Sequence, residues 1–445
     1  MFQVRSYMLD VSRDKVPTMA TLKKIVDLLA RFKYNQFQLY VEHAFAYSAH
    51  KEVWEKASPL TAQEMRQLDC YCRMHDIEFV PNQNSFGHME RWLVKPAYNH
   101  LAAMPKGGAR TPWGTVKKFP TTLDPKNPEC LSFLAGLYDE LLPNFTSDLF
   151  NVGCDETFEI KDPEEYLGFV LKVFDLVRAR GKRPMFWGDI VLKHPELVPR
   201  LPKDAIALDW GYEGNHPFMK EAERFAKAGL EFYVCPGTSA WNSLCGRVEN
   251  MRENMAAAEA GGRAFGAKGF LVTDWGDGGH WQPLAASLPG LVLGGWTAES
   301  GATATRMNLE ETLDAIMGVP LGGVLLKLGT LYLRGGALRA NASELFRILA
   351  EDRGYSRHPG LTDAVLAEIS AVADACRHEA TKYCGLAYPN AWAEEIAYMA
   401  SLVETACHRR DAGRLKHLRE EHAHVWKLRN REGGLADSLA KLPRF

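Results

Sequence analysis

Two acidic side chains stand together in the stretch FNVGCDETFE, residues 150–159. Asp155 and Glu156 follow an apolar run and a glycine, where a buried strand is expected to end. Paired carboxylates suit glycoside chemistry, in which one acid protonates the leaving oxygen while nearby negative charge stabilises an oxocarbenium-like sugar. Adjacent residues cannot readily straddle a sugar ring as independent acid and nucleophile. The pair therefore favours attack by the sugar's own 2-acetamido oxygen on the anomeric carbon.

That route assigns a separate task to each acid. Glu156 protonates the leaving group, and Asp155 holds and polarises the acetamido N–H. Because Glu156 must then carry a proton, we expect burial and the negative charge of Asp155 to raise the pKa of Glu156.

The elements that position this pair follow a regular alternation. Over the first 300 residues, short apolar runs alternate with amphipathic segments, a pattern typical of parallel strands covered by helices. Eight such units predict an α/β fold, a closed (β/α)8 TIM barrel, whose working residues lie at the carboxyl ends of the strands. The predicted strands are Gln3–Val11, Gln36–Glu42, Glu78–Asn82, Leu149–Gly153, Pro184–Gly188, Ile206–Asp209, Glu231–Cys235 and Gly269–Asp274.

Helix signals separate these strands and dominate the rest of the chain. Thr61 and Glu64 make a capping box, and Asp162 followed by Pro163 starts another helix, which we expect to stop at Gly181. Helical segments are predicted later at 363–377, 391–408 and 415–429. We therefore predict a catalytic barrel over residues 1–300 and an all-helical C-terminal domain over 301–445, which either closes the barrel or forms a dimer interface.

Polar and aromatic residues collect at the predicted strand ends. They are Glu42, His43, Asn84, His88, Asp155, Glu156, Trp187, Asp189, Asp209, Trp210, Trp241, Asn242, Asp274, Trp275 and Asp277. An acidic pair after a strand is by itself more often a solvated helix cap, and a lone histidine or tryptophan is more often core packing. The position after the fourth barrel strand favours catalysis, and three tryptophans at successive strand ends favour a pocket.

Several of these motifs resemble glycoside hydrolase family 20, the β-N-acetylhexosaminidases, and most of all their hexosaminidase D-type branch. LFNVGCDET resembles the family's Asp–Glu signature and is the most specific match. VRSYMLDVSR resembles the first-strand motif, which implies that Arg5 grips the sugar's 3- and 4-hydroxyls. PNQNSFGHM resembles the strand-three motif, which implies that His88 supports the acid.

The resemblance also implies a pocket for the acetamido group. MFWGD, ALDWG and TDWGDGG would supply Trp187, Trp210 and Trp275 as its walls, with Asp277 meeting the outer hydroxyls. The tyrosine that usually binds the acetamido oxygen has no clear counterpart, and TSAWN offers Trp241 or Asn242 near its place. Further departures are Asn151, where a histidine is usual, and Asn84, where many members have an aspartate.

Composition bears on the binding partners, cofactors and cellular location of the protein. With 53 basic and 55 acidic residues, the formal charge of −2 gives no footprint of nucleic-acid or membrane binding. The nine cysteines show no paired CxxC spacing for zinc, so we read them as reduced thiols. The substrate-assisted reaction expected of the acidic pair needs no metal or organic cofactor. The absence of an apolar leader predicts a cytoplasmic protein, and a homodimer remains an option.

Together these observations predict an exo-acting β-N-acetylhexosaminidase that works with retention of configuration on a glycan or glycoside containing an N-acetylhexosamine. One alternative is a sugar-binding protein that has lost turnover, motivated by Asn84, Asn151 and the missing tyrosine. Another is a barrel glycosidase that acts on a sugar without an acetamido group.

Overall fold

The computed structural model describes residues 1–301, 304, 307–351, 356–385, 390–408 and 411–443. Its centre is one sheet of eight parallel strands in the order β3-β2-β1-β8-β7-β6-β5-β4. The strands are β1 Val4–Asp10, β2 Gln36–Tyr40, β3 Glu78–Val80, β4 Leu149–Asn151, β5 Arg183–Trp187, β6 Ile206–Trp210, β7 Glu231–Cys235 and β8 Gly269–Asp274. The predicted barrel is confirmed.

The barrel closes between β3 and β4 just beyond the ends of the regular ladders. Asn82 and Asn151 form a single parallel bridge. The amide of Asn151 donates to the carbonyl of Pro81, and the amide of Gln83 donates to the carbonyl of Asn151, both at 3.0 Å. This seam lies only a few residues before Asp155, so it helps to place the acidic pair at the rim.

Helices follow the strands around the barrel. They are α1 Met19–Arg31, α2 Lys51–Trp54, α3 Ala62–Arg73, α4 Glu90–Leu93, α5 Glu129–Leu141, α6 Pro163–Arg178, α7 Asp189–Lys193, α8 Phe218–Lys227, α9 Val248–Ala264 and α10 Leu284–Ser300. The capping box of Thr61 and Glu64 is present at α3, and Asp162 caps α6. Gly181 follows α6 with φ +70°, the left-handed conformation expected after a helix.

Apolar side chains pack on both faces of the barrel sheet. The inner face includes Met8, Met185 and Leu208, which fill the barrel, while Leu22 and Ile25 of α1 belong to the larger outer core. Strands buried on both faces explain why the sequence shows continuous apolar runs rather than alternation. The filled interior leaves the rim at the strand ends as the place for a binding cleft.

In its described residues the later part of the chain is helical, as predicted, apart from one antiparallel ladder of two-residue strands. Its elements are α11 Leu309–Met317, α12 Gly322–Leu328, β9 Leu338–Arg339, β10 Ala342–Ser343, α13 Glu344–Ala350, α14 Asp363–Thr381, α15 Asn390–Cys407, α16 Ala412–Arg429 and α17 Leu435–Lys441. The carbonyl of Arg429 accepts from the Thr18 amide at 2.9 Å, and Arg431 pairs with Glu64 at 2.6 Å. This segment therefore packs directly on the barrel, while a domain boundary at residue 300 stays a prediction.

No single helix within the described ranges has the length and apolarity to cross a membrane. Only the pair Leu309–Met317 and Gly322–Gly336 passes that criterion when taken together, and the two are bent by 117°.

A buried histidine in the helical segment should make stability depend on pH. His422 lies between the Tyr398 hydroxyl at 2.6 Å and the Ser438 hydroxyl at 2.9 Å. Burial, aided by the charges of Lys15 and Arg419, lowers the pKa of His422 to about 3. The unfolded chain therefore binds a proton that the folded chain excludes, and the free energy of unfolding should decrease as the pH falls from about 6.5 towards 3.

Urea unfolding of the wild type and of His422→Gln at about pH 7.5 and 5.5 tests this expectation. The wild type should lose about 1 kcal/mol more stability than the variant over this range. His424→Gln is the matched control, because the His424 side chain is 63% exposed. An equal loss in the wild type and His422→Gln would contradict the assignment.

Candidate active site

A cleft of about 1390 Å³ opens at the carboxyl ends of the barrel strands. It contains seven of the nine predicted site residues: Asp155, Glu156, His88, Trp187, Trp210, Trp275 and Asp277. Residues 339–342 around the β9–β10 ladder and Asp437, Ser438, Ala440 and Lys441 in α17 also line it. The barrel provides the floor, and the helical segment provides part of the outer wall.

His88 is the residue that joins the acidic pair. Its Nε2 lies 3.3 Å from Asp155 Oδ2 and 3.4 Å from Glu156 Oε2. On the other side of the ring, Nδ1 lies 3.5 Å from Glu42 Oε1. One imidazole, whose side chain is only 12% exposed, thus faces three carboxyl groups.

The backbone turns sharply where it presents the two acids. Gly153, Cys154 and Glu156 all have positive φ, at +69°, +73° and +50°. A Cβ at Gly87 would lie 2.2 Å from the Asp155 carbonyl oxygen, so only glycine lets the loop of His88 approach the acidic pair. Strain held by such close packing is common at functional sites.

The charges in this cluster differ from the sequence-based expectation. Burial opposes a charge on His88, but Asp155 and Glu156 outweigh burial and raise the pKa of His88 well above its usual value. Burial also raises the pKa of Glu156, yet the hydrogen bond and charge of His88 prevail, and the pKa of Glu156 lies below its usual value. The prediction that its surroundings raise the pKa of Glu156 is therefore wrong, because His88 holds the proton.

One oxygen of Asp155 is left open. Asp155 is 6% exposed, and its Oδ1 is buried with no hydrogen-bond partner among the described residues. Behind the pair, Asp189 Oδ2 accepts from the Glu156 amide at 3.5 Å. Burial, together with the nearby Asp155 and Glu156, raises the pKa of Asp189 to about 7 against the opposing charge of Lys193. Asp155 Oδ1, a buried acceptor without a donor, is therefore suited to accept a hydrogen bond from a ligand N–H.

The structure contradicts the placement of Arg5 in the site. Arg5 pairs in register with Phe270 near the start of β8, at the amino end of the barrel. Its side chain donates to the Lys33 and Phe2 carbonyls and pairs with Glu299 at 3.2 Å. The reason is geometric: the carboxyl end of β1 is reached only at Asp10, five residues later.

Arg13, which follows that end of β1, occupies the cleft instead. Its guanidinium lies 3.0 Å from Asp277 Oδ1, 3.2 Å from Asp10 Oδ2 and 3.3 Å from Glu42 Oε1. Sequence reasoning missed Arg13. Its position just after the predicted first strand could have indicated a role, because functional residues of (β/α)8 barrels lie at the carboxyl ends of the strands.

Arg13 also contacts the aromatic part of the cleft. The guanidinium carbon lies 5.6 Å from the ring centre of Trp275. Trp275 and Trp187 are 6.1 Å apart between ring centres, while Trp210 stacks on Tyr212 at 5.2 Å. The three predicted tryptophans therefore do share one pocket with the charged cluster.

Tyr212 is a second residue that sequence reasoning missed. Its hydroxyl accepts from Trp275 Nε1 at 2.8 Å, which leaves the hydroxyl proton free for another acceptor. Trp241, predicted to bind substrate, packs edge-on behind Tyr212 at 5.0 Å and donates to Asn341 Oδ1 at 2.8 Å. The structure thus corrects the role of Trp241 to support of Tyr212, whereas Asn242 does line the cleft.

The two asparagines that depart from the family pattern have structural partners. Asn84 donates to the Tyr40 hydroxyl at 2.5 Å. Asn151 donates to Gln38 Oε1 and accepts from the Gly153 amide, each at 3.0 Å. Both asparagines thus hold the strand ends beneath the acids.

A cleft at the top of a (β/α)8 barrel, with two acids and a histidine set among tryptophans, defines a glycoside hydrolase of the barrel type. The comparisons with known proteins agree. Residues 2–166 match the model of glycosyl hydrolase family 20, catalytic domain. Over these residues the chain matches glycoside hydrolase family 20, the β-N-acetylhexosaminidase family.

Individual relatives resemble this chain at low identity. Hexosaminidase D of Bos taurus is 22% identical over 307 residues, which cover 61% of this chain and 84% of the bovine protein. A β-hexosaminidase of Akkermansia muciniphila is 26% identical over 43% of this chain and 46% of its own length. The exo β-N-acetylglucosaminidase of Vibrio harveyi in complex with N-acetylglucosamine shares the fold, with a TM-score of 0.52, 16% identity and coverage of 72% and 58%.

Proposed function

We propose that the protein is an exo-acting β-N-acetylhexosaminidase that hydrolyses terminal β-linked N-acetylglucosamine or N-acetylgalactosamine with retention. One observation carries this proposal: Asp155 Oδ1 is buried and has no hydrogen-bond partner among the described residues, and it lies beside Glu156. The two acids both contact His88 Nε2. Glycosidases that supply their own nucleophile instead need two carboxyl groups about 5 Å apart across the sugar. Neighbouring acids fit substrate assistance better.

In the first step the acetamido oxygen attacks the anomeric carbon, and the bond to the leaving oxygen breaks. Glu156 delivers a proton to that oxygen, and the proton comes from the cluster in which His88 Nε2 lies 3.4 Å from Glu156 Oε2. Asp155 accepts the acetamido N–H, and its negative charge offsets the positive oxazolinium ring. Tyr212 donates its free proton to the acetamido oxygen.

In the second step water attacks the same carbon from the side that the leaving group vacated. Glu156 now acts as base and takes the proton of this water, and the bond between the anomeric carbon and the acetamido oxygen breaks. Two inversions give net retention. Arg13 and Asp277 bind the outer hydroxyls, because both groups border the cleft and already form one ion pair.

Turnover of an aryl N-acetyl-β-glucosaminide and its galacto epimer, with and without an acetamido-derived thiazoline, tests this function. We expect turnover of at least one epimer, a β-configured first product by NMR, and inhibition by the thiazoline, which imitates the cyclic intermediate. Binding of N-acetylglucosamine without turnover would favour the sugar-binding protein. Turnover of a glycoside lacking the acetamido group, insensitive to the thiazoline, would favour the other glycosidase.

An exposed tryptophan on the side of Glu156 should bind the leaving group. Trp113 is 62% exposed, lines the cleft and packs edge-on against Phe158 at 5.3 Å. Lys117 of the same loop also lines the cleft, and its charge helps to lower the pKa of Glu156, which places the loop beside the acid. A second sugar ring bound there would stack on the Trp113 indole.

Trp113→Ala should therefore raise KM roughly fivefold to tenfold for a disaccharide with terminal β-linked N-acetylglucosamine. The methyl glycoside of the same sugar should be nearly unaffected, because it has no second ring. Phe119→Ala is the matched control, since Phe119 is 61% exposed and does not line the cleft. Equal effects of Trp113→Ala on both substrates would exclude a leaving-group site at this loop.

Homodimer formation remains a proposal, and size-exclusion chromatography with light scattering tests it.

A further inference from the structure

Three potential metal ligands lie together beside the cleft and outside the residues assigned to sugar chemistry. Asp209 is the fourth residue of β6, and Glu221 lies in the first turn of α8. His216 lies in the loop between them. One ligand atom from each side chain lies within 4.8 Å of the other two.

Asp209 lacks the partner that a buried carboxylate needs. The residue is 0% exposed, and both carboxylate oxygens have no hydrogen-bond partner among the described residues. His216 Nε2 lies 2.8 Å from Glu221 Oε2. Glu221, when ionised, is itself only an acceptor. A buried charge of this kind must be neutralised by a proton or by a cation.

The surrounding loop holds the imidazole of His216 in place. A Cβ at Gly211 would lie 2.2 Å from the His216 ring, so the backbone runs directly against that ring. Phe218 also packs edge-on against this ring, at 4.4 Å between centres. Asn254 donates to the carbonyls of Gly211 and Glu213 and fixes the loop itself. The His216 imidazole is therefore already held in position in the absence of a metal ion.

We propose that Asp209, His216 and Glu221 bind one divalent transition-metal ion, with Zn²⁺ as the best match. One imidazole nitrogen and two carboxylates suit zinc, whereas Mg²⁺ and Ca²⁺ prefer shells of oxygen. Ligands around a tetrahedral zinc ion lie about 3.4 Å apart, which small side-chain rotations achieve from the present spacing. His216 also lines the cleft, so water from the cleft supplies the fourth ligand.

The ion would connect β6, the following loop and α8. That loop carries Tyr212, whose hydroxyl meets Trp275 in the sugar pocket. Metal binding would thus stabilise the aromatic wall without entering the hydrolytic chemistry.

A shared proton is the competing arrangement. With no ion bound, burial first and the charge of Glu221 second raise the pKa of Asp209 well above its usual value. A neutral Asp209 would then donate to Glu221, and no metal would be needed.

Calorimetric titration of EDTA-treated protein with ZnCl₂, followed by thermal unfolding, separates these possibilities. We expect one zinc ion per chain and a higher Tm with zinc, both absent with MgCl₂ and both lost in His216→Gln and Asp209→Asn. His100→Gln should keep the binding, because His100 and Glu129 form an exposed pair at 3.1 Å outside the cluster.

Anomalous scattering at the zinc edge from wild-type crystals locates the ion without relying on a variant that could fail to fold. Density between Asp209, His216 and Glu221 would support the site. No zinc binding by the wild type, or binding that persists in His216→Gln, would overturn the metal site and leave the shared proton.

Discussion

Replacing Glu156 by glutamine should lower kcat for an N-acetyl-β-hexosaminide at least about a hundredfold, the usual scale for losing a general acid. Glutamine keeps the size and polarity of the side chain but cannot give a proton to the leaving oxygen. The loss should be larger for a methyl glycoside than for a dinitrophenyl glycoside, because a good leaving group departs with little help from an acid. KM should change less than kcat.

The dependence on leaving group is the sharper part of this test. Glu164→Gln provides a matched control, because Glu164 is an exposed residue of α6 whose partner is Arg200. If Glu156→Gln reduced the hydrolysis of both glycosides by the same factor, Glu156 would not be the proton donor. Its role would then be confined to shaping the site.

Replacing Arg13 by lysine should reduce kcat/KM roughly tenfold to a hundredfold. The guanidinium forms ion pairs with Asp10, Glu42 and Asp277 at the same time. A lysine ammonium is a single point charge and cannot keep this three-way geometry, so buried carboxylates lose partners and the hydroxyl-binding edge of the cleft shifts. Steady-state kinetics and near-UV circular dichroism together separate lost recognition from lost folding.

Arg5→Lys is the matched comparison, because Arg5 lies near the start of β1, at the opposite end of the barrel from Arg13, and pairs with Glu299. We expect kcat/KM of this variant to stay within about threefold of the wild type, since the partners of Arg5 are Lys33, Phe2 and Glu299, none of which lines the cleft. The reverse pattern, with Arg5→Lys impaired and Arg13→Lys active, would restore the assignment made from the first-strand motif.

The barrel could be predicted because its strands are recognisable in the sequence as short apolar runs that alternate with helical segments. The predicted bounds of β7 and β8, Glu231–Cys235 and Gly269–Asp274, are those of the structure. For β1 the prediction of Gln3–Val11 extends one residue too far at each end, because neighbouring side chains suit a strand while the ladder runs only from Val4 to Asp10. Hydrophobic pattern reports burial, and hydrogen bonding sets the bounds.

The site was less accessible to sequence reasoning. Asp155 and Glu156 could be found because the acidic pair follows the fourth strand of a predicted barrel, where working residues lie. Arg5 was misplaced because a motif gives order along the chain but does not tell which end of a strand faces the cleft. Tyr212 was missed because its role depends on Trp275, 63 positions away. The lowered pKa of Glu156 likewise depends on His88, which only the folded chain brings within reach.

The wall that α17 adds to the cleft has a consequence for how the protein matures. Arg91 meets Asp437 across 346 positions of sequence, and Arg431 meets Glu64 across 367. A ribosome releases the barrel well before it releases α17, and domains tend to fold from the amino end during synthesis. The nascent barrel therefore holds its acids before it has the wall that closes the pocket beside them. We expect catalytic activity to appear only after α17 has packed against the barrel. Hydrolysis would then be detected only once residues up to 441 have been synthesised.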